Sequence, residues 1–139
     1  MIVAVDFDGT CVTHAYPAIG KDIGAAPVLR RLADEGHEIV LWTMRSGREL
    51  SEAVGWFRGR GIPLLGVNEN PNQQSWTKSP KACANIYIDD AALGCPLRVD
   101  AALSDRPFAD WGRVEILLRA MMAGEKPMGH TTIAERRAE

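Results

Sequence analysis

The chain has 139 residues, an ordinary single domain's length, and its apolar (46%) and charged (24%) shares stand near globular averages, which excludes a disordered chain and a coiled coil. Sixteen basic against eighteen acidic side chains leave a net charge of −2, without the basic excess of a general nucleic-acid binder. No apolar run approaches the roughly 18 residues needed to cross a bilayer, and the first charged residue is Asp6 where a leader would be basic; the expected setting is cytoplasmic, with no membrane partner. Cys11, Cys83 and Cys95 form no C-x-x-C pair and are expected to be reduced packing groups, although oxidation at Cys11 would disturb the adjacent loop.

Residues 2–5, Ile-Val-Ala-Val, suit a strand buried on both faces, and the run breaks at Asp6-Phe7-Asp8-Gly9-Thr10. Across 21–35, Ile23, Val28, Leu29, Leu32 and Ala33 recur at helical spacing, with Pro27 in the first turn and Gly36 as the terminating glycine. A second strand is expected over 38–43 and a second helix over 49–60, with Leu50, Val54 and Phe57 on one face. A third strand over 64–67 leads into residues 68–80, polar and turn-rich, which read as a surface loop with Trp76 bordering any substrate entrance. Residues 85–88 form the fourth strand, 97–99 a short fifth, and 110–122 a closing helix with Val114, Leu117, Leu118 and Met121 inward. The polar tail from 124 to 139 is expected to fray.

Strands alternating with helices at this spacing predict one domain over 1–139: a three-layer α/β/α, Rossmann-like parallel sheet with helices on both faces. Ligands bind such sheets at the carboxyl ends of the strands. Those ends carry Asp6 and Asp8, then Thr43, then Asp89 and Asp90, which should converge on one edge.

The pentad Asp6-Phe7-Asp8-Gly9-Thr10 after a buried strand resembles the first motif, D-x-D-x-T, of the haloacid dehalogenase-like phosphotransferase superfamily; chance alone would supply D-x-D-G-T in roughly one chain in a thousand. Three further motifs of that superfamily have counterparts in order: Thr43 ending the second strand, Lys81 or Lys78 ahead of the fourth, and the acidic pair Asp89-Asp90 closing it. Lys81 is preferred, because K-x-x-A-x-x-Y-I-D-D resembles small members. The resemblance covers residues 6–90 and implies a capless, HAD-like phosphatase. Only 32 residues separate Thr10 from Thr43 and 37 separate Thr43 from Lys81, and predicted elements fill both intervals.

A carboxylate can attack phosphorus to give an aspartyl-phosphate, and Asp6 is the candidate nucleophile. Asp8, two residues on, would protonate the leaving oxygen and then deprotonate the hydrolytic water. Crowded carboxylates would repel a phosphate unless a divalent cation offsets them, so Mg2+ is expected on Asp6, Asp8 (through its backbone carbonyl), Asp89 and Asp90. Thr43 and Lys81 would donate to the phosphoryl oxygens. Gly9, Thr10 and Arg45 are candidate substrate contacts, and Arg45 with Arg48 could instead be a solvated helix start. The expected activity is magnesium-dependent hydrolysis of phosphomonoesters, small molecules before macromolecules, with a neighbouring subunit of a homo-oligomer available to cover the open edge.

Other readings carry less. A calcium loop opening at Asp6 would need a bidentate Glu where Pro17 stands. Asp89-Asp90 alone could cap a helix, and Thr43 could be an ordinary strand residue. A nucleic-acid end phosphatase is disfavoured by charge. A non-catalytic, aspartate-phosphorylated or magnesium-binding module remains the alternative from another class. His14, His37 and His130 lack metal-ligand spacing and read as surface or loop residues.

Overall fold

The computed structural model describes residues 1–124; the frayed tail expected after Gly124, with His130, lies outside them. In chain order the elements are β1 (Ile2–Val5), α1 (Ala25–Asp34), β2 (Glu38–Leu41), α2 (Gly47–Gly59), β3 (Gly66–Val67), a one-turn 3₁₀ helix (Pro71–Gln73), β4 (Ile86–Ile88), β5 (Leu97–Arg98), β6 (Phe108–Ala109) and α3 (Trp111–Met122). Four strands form a parallel sheet in the order β3-β2-β1-β4, so the α/β, Rossmann-like expectation holds. Because the chain moves from β1 to β2 on one side and reaches β4 on the other, the crevice at the carboxyl ends opens between β1 and β4. No helix among the described residues is long and apolar enough to cross a membrane.

Among the described residues the helices do not sandwich the sheet. Alternation along β1 and β2 sends Val3, Val5, Ile39 and Leu41 to one side, where they pack in a single core with Leu29 and Leu32 of α1, Trp56 and Phe57 of α2, and Val114 and Leu118 of α3. The other side presents Ala4, Val40, Ile2 and Trp42, and is covered by Leu65, Ala82 and Ala84. Among the described residues that face is met by chain between β3 and β4, whose Asn- and Pro-rich sequence makes a 3₁₀ turn in place of a helix. The expected three-layer arrangement is thus corrected to helices on one face and an irregular segment on the other.

That segment is less of a surface loop than its composition suggests. Gln73 is buried, donating through Nε2 to the carbonyls of Ser79 (3.0 Å) and Lys81 (2.9 Å) and accepting from the Cys83 N–H (2.7 Å). Asn70, also buried, donates to the Cys83 carbonyl at 2.9 Å and caps the 3₁₀ turn by accepting from the Asn72 N–H. Two amide side chains replace the ladder a helix or strand would have supplied.

Boundaries moved for local reasons. α1 starts at Ala25 because Gly24, at φ +94°, lies in the left-handed region, and Lys21 and Asp22 are engaged with Thr13 and Val12. β2 stops at Leu41 because the Thr43 N–H is taken by a side chain. The expected fifth strand leaves the sheet: β5 pairs antiparallel with β6, which was not anticipated. Leu117 points outward, while Val114 and Leu118 are buried.

Gln73→Leu should destabilise by roughly 2–4 kcal/mol, since three backbone groups would lose their partner while the apolar replacement offers none. Its exposed neighbour provides the control: Gln74→Leu should stay within about 0.5 kcal/mol in the same urea titration.

Candidate active site

The first-motif loop follows β1 directly. Gly9 lies at φ +81°, and a Cβ there would stand 2.0 Å from His14 Nε2 and 2.6 Å from Asp90 Oδ2, so only glycine fits. Residues of the C-terminal segment brace this loop. The Ala109 N–H donates to the Gly9 carbonyl at 2.9 Å, and Trp111 Nε1 donates to the Thr10 carbonyl at 2.6 Å. Fully buried Phe7 packs edge-on against Trp56, 5.6 Å between ring centroids, anchoring the loop to α2. Cys11 is buried with its thiol 3.2 Å from the Asp6 carbonyl; burial pushes that thiol well above its usual range, matching the packing reading. All three cysteines are free.

Asp6, Asp89 and Asp90 meet at the ends of β1 and β4, each offering an oxygen within 4.8 Å of the others. Burial, more than the neighbouring charges of Asp89 and Asp90, pushes Asp6 up to about 7, against the opposing pull of the Phe7 N–H and the Thr10 hydroxyl. Thr10, expected to touch substrate, is fully buried: its hydroxyl is 3.0 Å from Asp6 Oδ2 and 3.0 Å from Asp90 Oδ1, and it accepts the Asp90 N–H at 2.9 Å. It ties the two strand ends together. Gly9 is likewise covered, beneath His14, and out of a substrate's reach.

A cavity of about 270 Å³ opens over Asp6 and Asp89, lined also by Trp42, Thr43, Met44 and Asn68. The Thr43 N–H donates to Asn68 Oδ1 at 2.7 Å, and its hydroxyl oxygen accepts the Arg45 N–H at 3.1 Å. Those bonds leave the hydroxyl hydrogen available to the cavity. Asn68, which sequence reasoning did not single out, ends β3 at φ +54°, a conformation asparagine tolerates better than most residues. An asparagine just after a short strand was the available signal.

Asp8 stands apart from the three-carboxylate cluster. Arg45 holds it in a bidentate pair, Nε to Oδ2 and Nη2 to Oδ1, both 2.7 Å. Arg45 is itself buried, stacks 5.0 Å from the Phe7 ring centroid and donates to the carbonyls of Pro17 (3.1 Å) and Ala18 (2.7 Å). With its donors spent on the protein, Arg45 is a structural clamp, correcting both its expected substrate contact and the solvated-helix alternative; exposed Arg48 pairs with Glu52. Lys81 is exposed, its Nζ 5.3 Å from the Tyr87 ring centroid, and lies outside the residues lining the Asp6 cavity; Lys78 lines a separate depression that shares Asn68 with it. Trp76, exposed, lines neither. His14 lies on a loop, as expected, but its ring is half-buried, with Nε2 2.9 Å from Asp90 Oδ2.

Three hard carboxylate donors at the strand ends could hold a metal ion, with cavity space beside them for water or an anionic oxygen. No family model and no curated protein matches the chain. Among solved structures it is similar to a conserved protein from Bacteroides thetaiotaomicron, at 33% identity and a TM-score of 0.71, over 92% of this chain and 98% of that one.

The raised Asp6 value has a consequence for stability without metal. The folded state keeps its proton to higher pH than the unfolded chain, so stability falls as pH rises from about 4 to about 7. In chelator at pH 8, Asp6→Asn should therefore be more stable than wild type by roughly 1–3 kcal/mol, an advantage that disappears near pH 4. Urea unfolding at the two pH values measures it.

Proposed function

The chain belongs to the same family as that conserved Bacteroides thetaiotaomicron protein, and from its site we propose a magnesium-dependent phosphomonoester hydrolase, a capless HAD-like enzyme working through an aspartyl-phosphate on Asp6. The observation that carries this reading is the meeting of Asp6, Asp89 and Asp90 beside a cavity that also holds Thr43. Elements already fill both intervals where a cap would insert: α1 and β2 between Thr10 and Thr43, then α2, β3 and the Gln73-clamped segment before Lys81.

Asp6, Asp89 and Asp90 would hold the ion, whose charge offsets the three carboxylates and keeps Asp6 ionised at neutral pH. Asp6 then attacks phosphorus in line: a bond forms from its carboxylate oxygen as the bond to the leaving oxygen breaks, and the leaving oxygen takes a proton from Asp8. In the second half, water attacks the phosphoryl group, Asp8 takes back a proton, and Asp6 is released with inorganic phosphate. Thr43, its oxygen already accepting from the Arg45 N–H, directs its hydroxyl hydrogen to a phosphoryl oxygen. Lys81 is the proposed second donor; its aromatic neighbour Tyr87 stands two residues before Asp89, on the same side of the strand alternation. With no lid among the described residues, the site leaves room for bulky as well as small phosphomonoesters, whose leaving group would meet the rim at Met44 and Asn68.

One observation favours the second reading, a phosphorylated switch. A proton on Asp8 removes its charge and leaves one oxygen a weaker acceptor, so the bidentate pair with Arg45 opposes the protonation that proton transfer needs. If the pair stayed shut, the phosphoaspartate would persist.

Phosphate release from sugar phosphates, nucleotides and a 5′-phosphorylated oligonucleotide separates the readings. A hydrolase requires magnesium, loses at least about 10³-fold in kcat with Asp6→Asn and about 10²–10⁴-fold with Asp8→Asn. A chain that instead accumulates a stable phosphoaspartate from a small phosphodonor, with no ester turnover, is the switch.

A further inference from the structure

His14 reaches the site from a loop tied down at both base and tip. At its base, the Thr13 N–H donates to the Lys21 carbonyl at 3.0 Å and the Lys21 N–H donates to Thr13 Oγ1 at 2.9 Å, with Thr13 buried. Val12 and Asp22 form an antiparallel bridge just below. Gly20 permits the closure, since a Cβ there would stand 1.9 Å from the Thr13 carbonyl oxygen. At its tip, Arg45 holds the Pro17 and Ala18 carbonyls with the same guanidinium that clamps Asp8. The ring then passes over Gly9, where no side chain blocks it, to put Nε2 2.9 Å from Asp90 Oδ2.

Thr10 cannot orient Asp90 unaided. Its hydroxyl has one hydrogen and sits at equal distance from Asp6 Oδ2 and Asp90 Oδ1, so a bond given to one carboxylate is withheld from the other. Whenever that hydrogen serves Asp6, His14 is the side-chain donor left to Asp90 among the described residues.

We propose that His14 is a positioning residue: its Nε2–H fixes the Asp90 carboxylate and thereby sets the affinity of the Asp6–Asp89–Asp90 cluster for a divalent cation. This rests on the metal-site reading above. Partners that orient a metal-binding group commonly change affinity by about 10–100-fold when removed.

Calorimetric titration of the 139-residue protein with magnesium, repeated with manganese, tests it. His14→Ala should weaken binding about tenfold, whereas His14→Gln, whose Nε2–H can stand where the ring Nε2–H stands, should come back to within about threefold of wild type. Equal affinity in wild type and His14→Ala overturns the proposal, and so does an equal loss in both variants, because the ring would then serve packing alone. Asp89→Asn separates this from failure of the underlying site: if wild type binds no cation, or Asp89→Asn binds as wild type does, the metal-site reading falls and takes this inference with it.

Discussion

Like charge held at short range governs this molecule. Three carboxylates within 4.8 Å at the ends of β1 and β4 repel one another, and partial burial, the larger effect, adds to that repulsion in pushing Asp6 up to about 7. A flexible loop would let such groups separate. Here the surrounding bonds prevent that: Ala109 and Trp111 fix the carbonyls of Gly9 and Thr10, the Thr10 hydroxyl bridges the two strand ends, and the Phe7–Trp56–Phe57 cluster locks the same loop to α2. The segment after β4 thus does more than close the fold, because β6 and the first turn of α3 brace the loop that carries Asp6.

Orientation of the remaining acidic groups is divided between two cationic or donor side chains that meet through one loop. Arg45 clamps Asp8 and holds the tip of residues 13–21, while His14 on the same loop reaches Asp90. Asp8 and Asp90 lie on opposite flanks of Asp6 in function as well as in contacts, one proposed for proton transfer and one for the cation. A displacement of the loop would disturb both, which makes its pinned base at Thr13 and Lys21 a requirement of the site.

What could be read in advance follows from the range of the interactions involved. Period-two and helical spacing are local, so the parallel strands, the three helices and the convergence of Asp6, Thr43, Asp89 and Asp90 were legible before any coordinates. Gly36 as a terminating glycine belongs to the same local class. Contacts over long separations were not legible. Arg45 to Asp8, His14 to Asp90 and Asn68 to Thr43 join residues 37, 76 and 25 positions apart, and nothing local distinguishes a buried clamp such as Arg45 from the exposed Arg48 beside it. Composition misled over residues 68–80, where Asn70 and Gln73 look like solvent-facing amides and are buried replacements for backbone pairing. The same segment explains why the helices share one face: it has turn chemistry where a crossover helix would be needed.

The role proposed for the three crowded carboxylates is to hold a divalent cation. Anomalous diffraction from crystals soaked in manganese at pH 8 tests it most directly. A peak is expected at roughly 2.0–2.3 Å from oxygens of Asp6 and Asp89, with Asp90 in its immediate surroundings. Crystals that take up manganese elsewhere, or show no peak between β1 and β4 at saturating concentration, would contradict it.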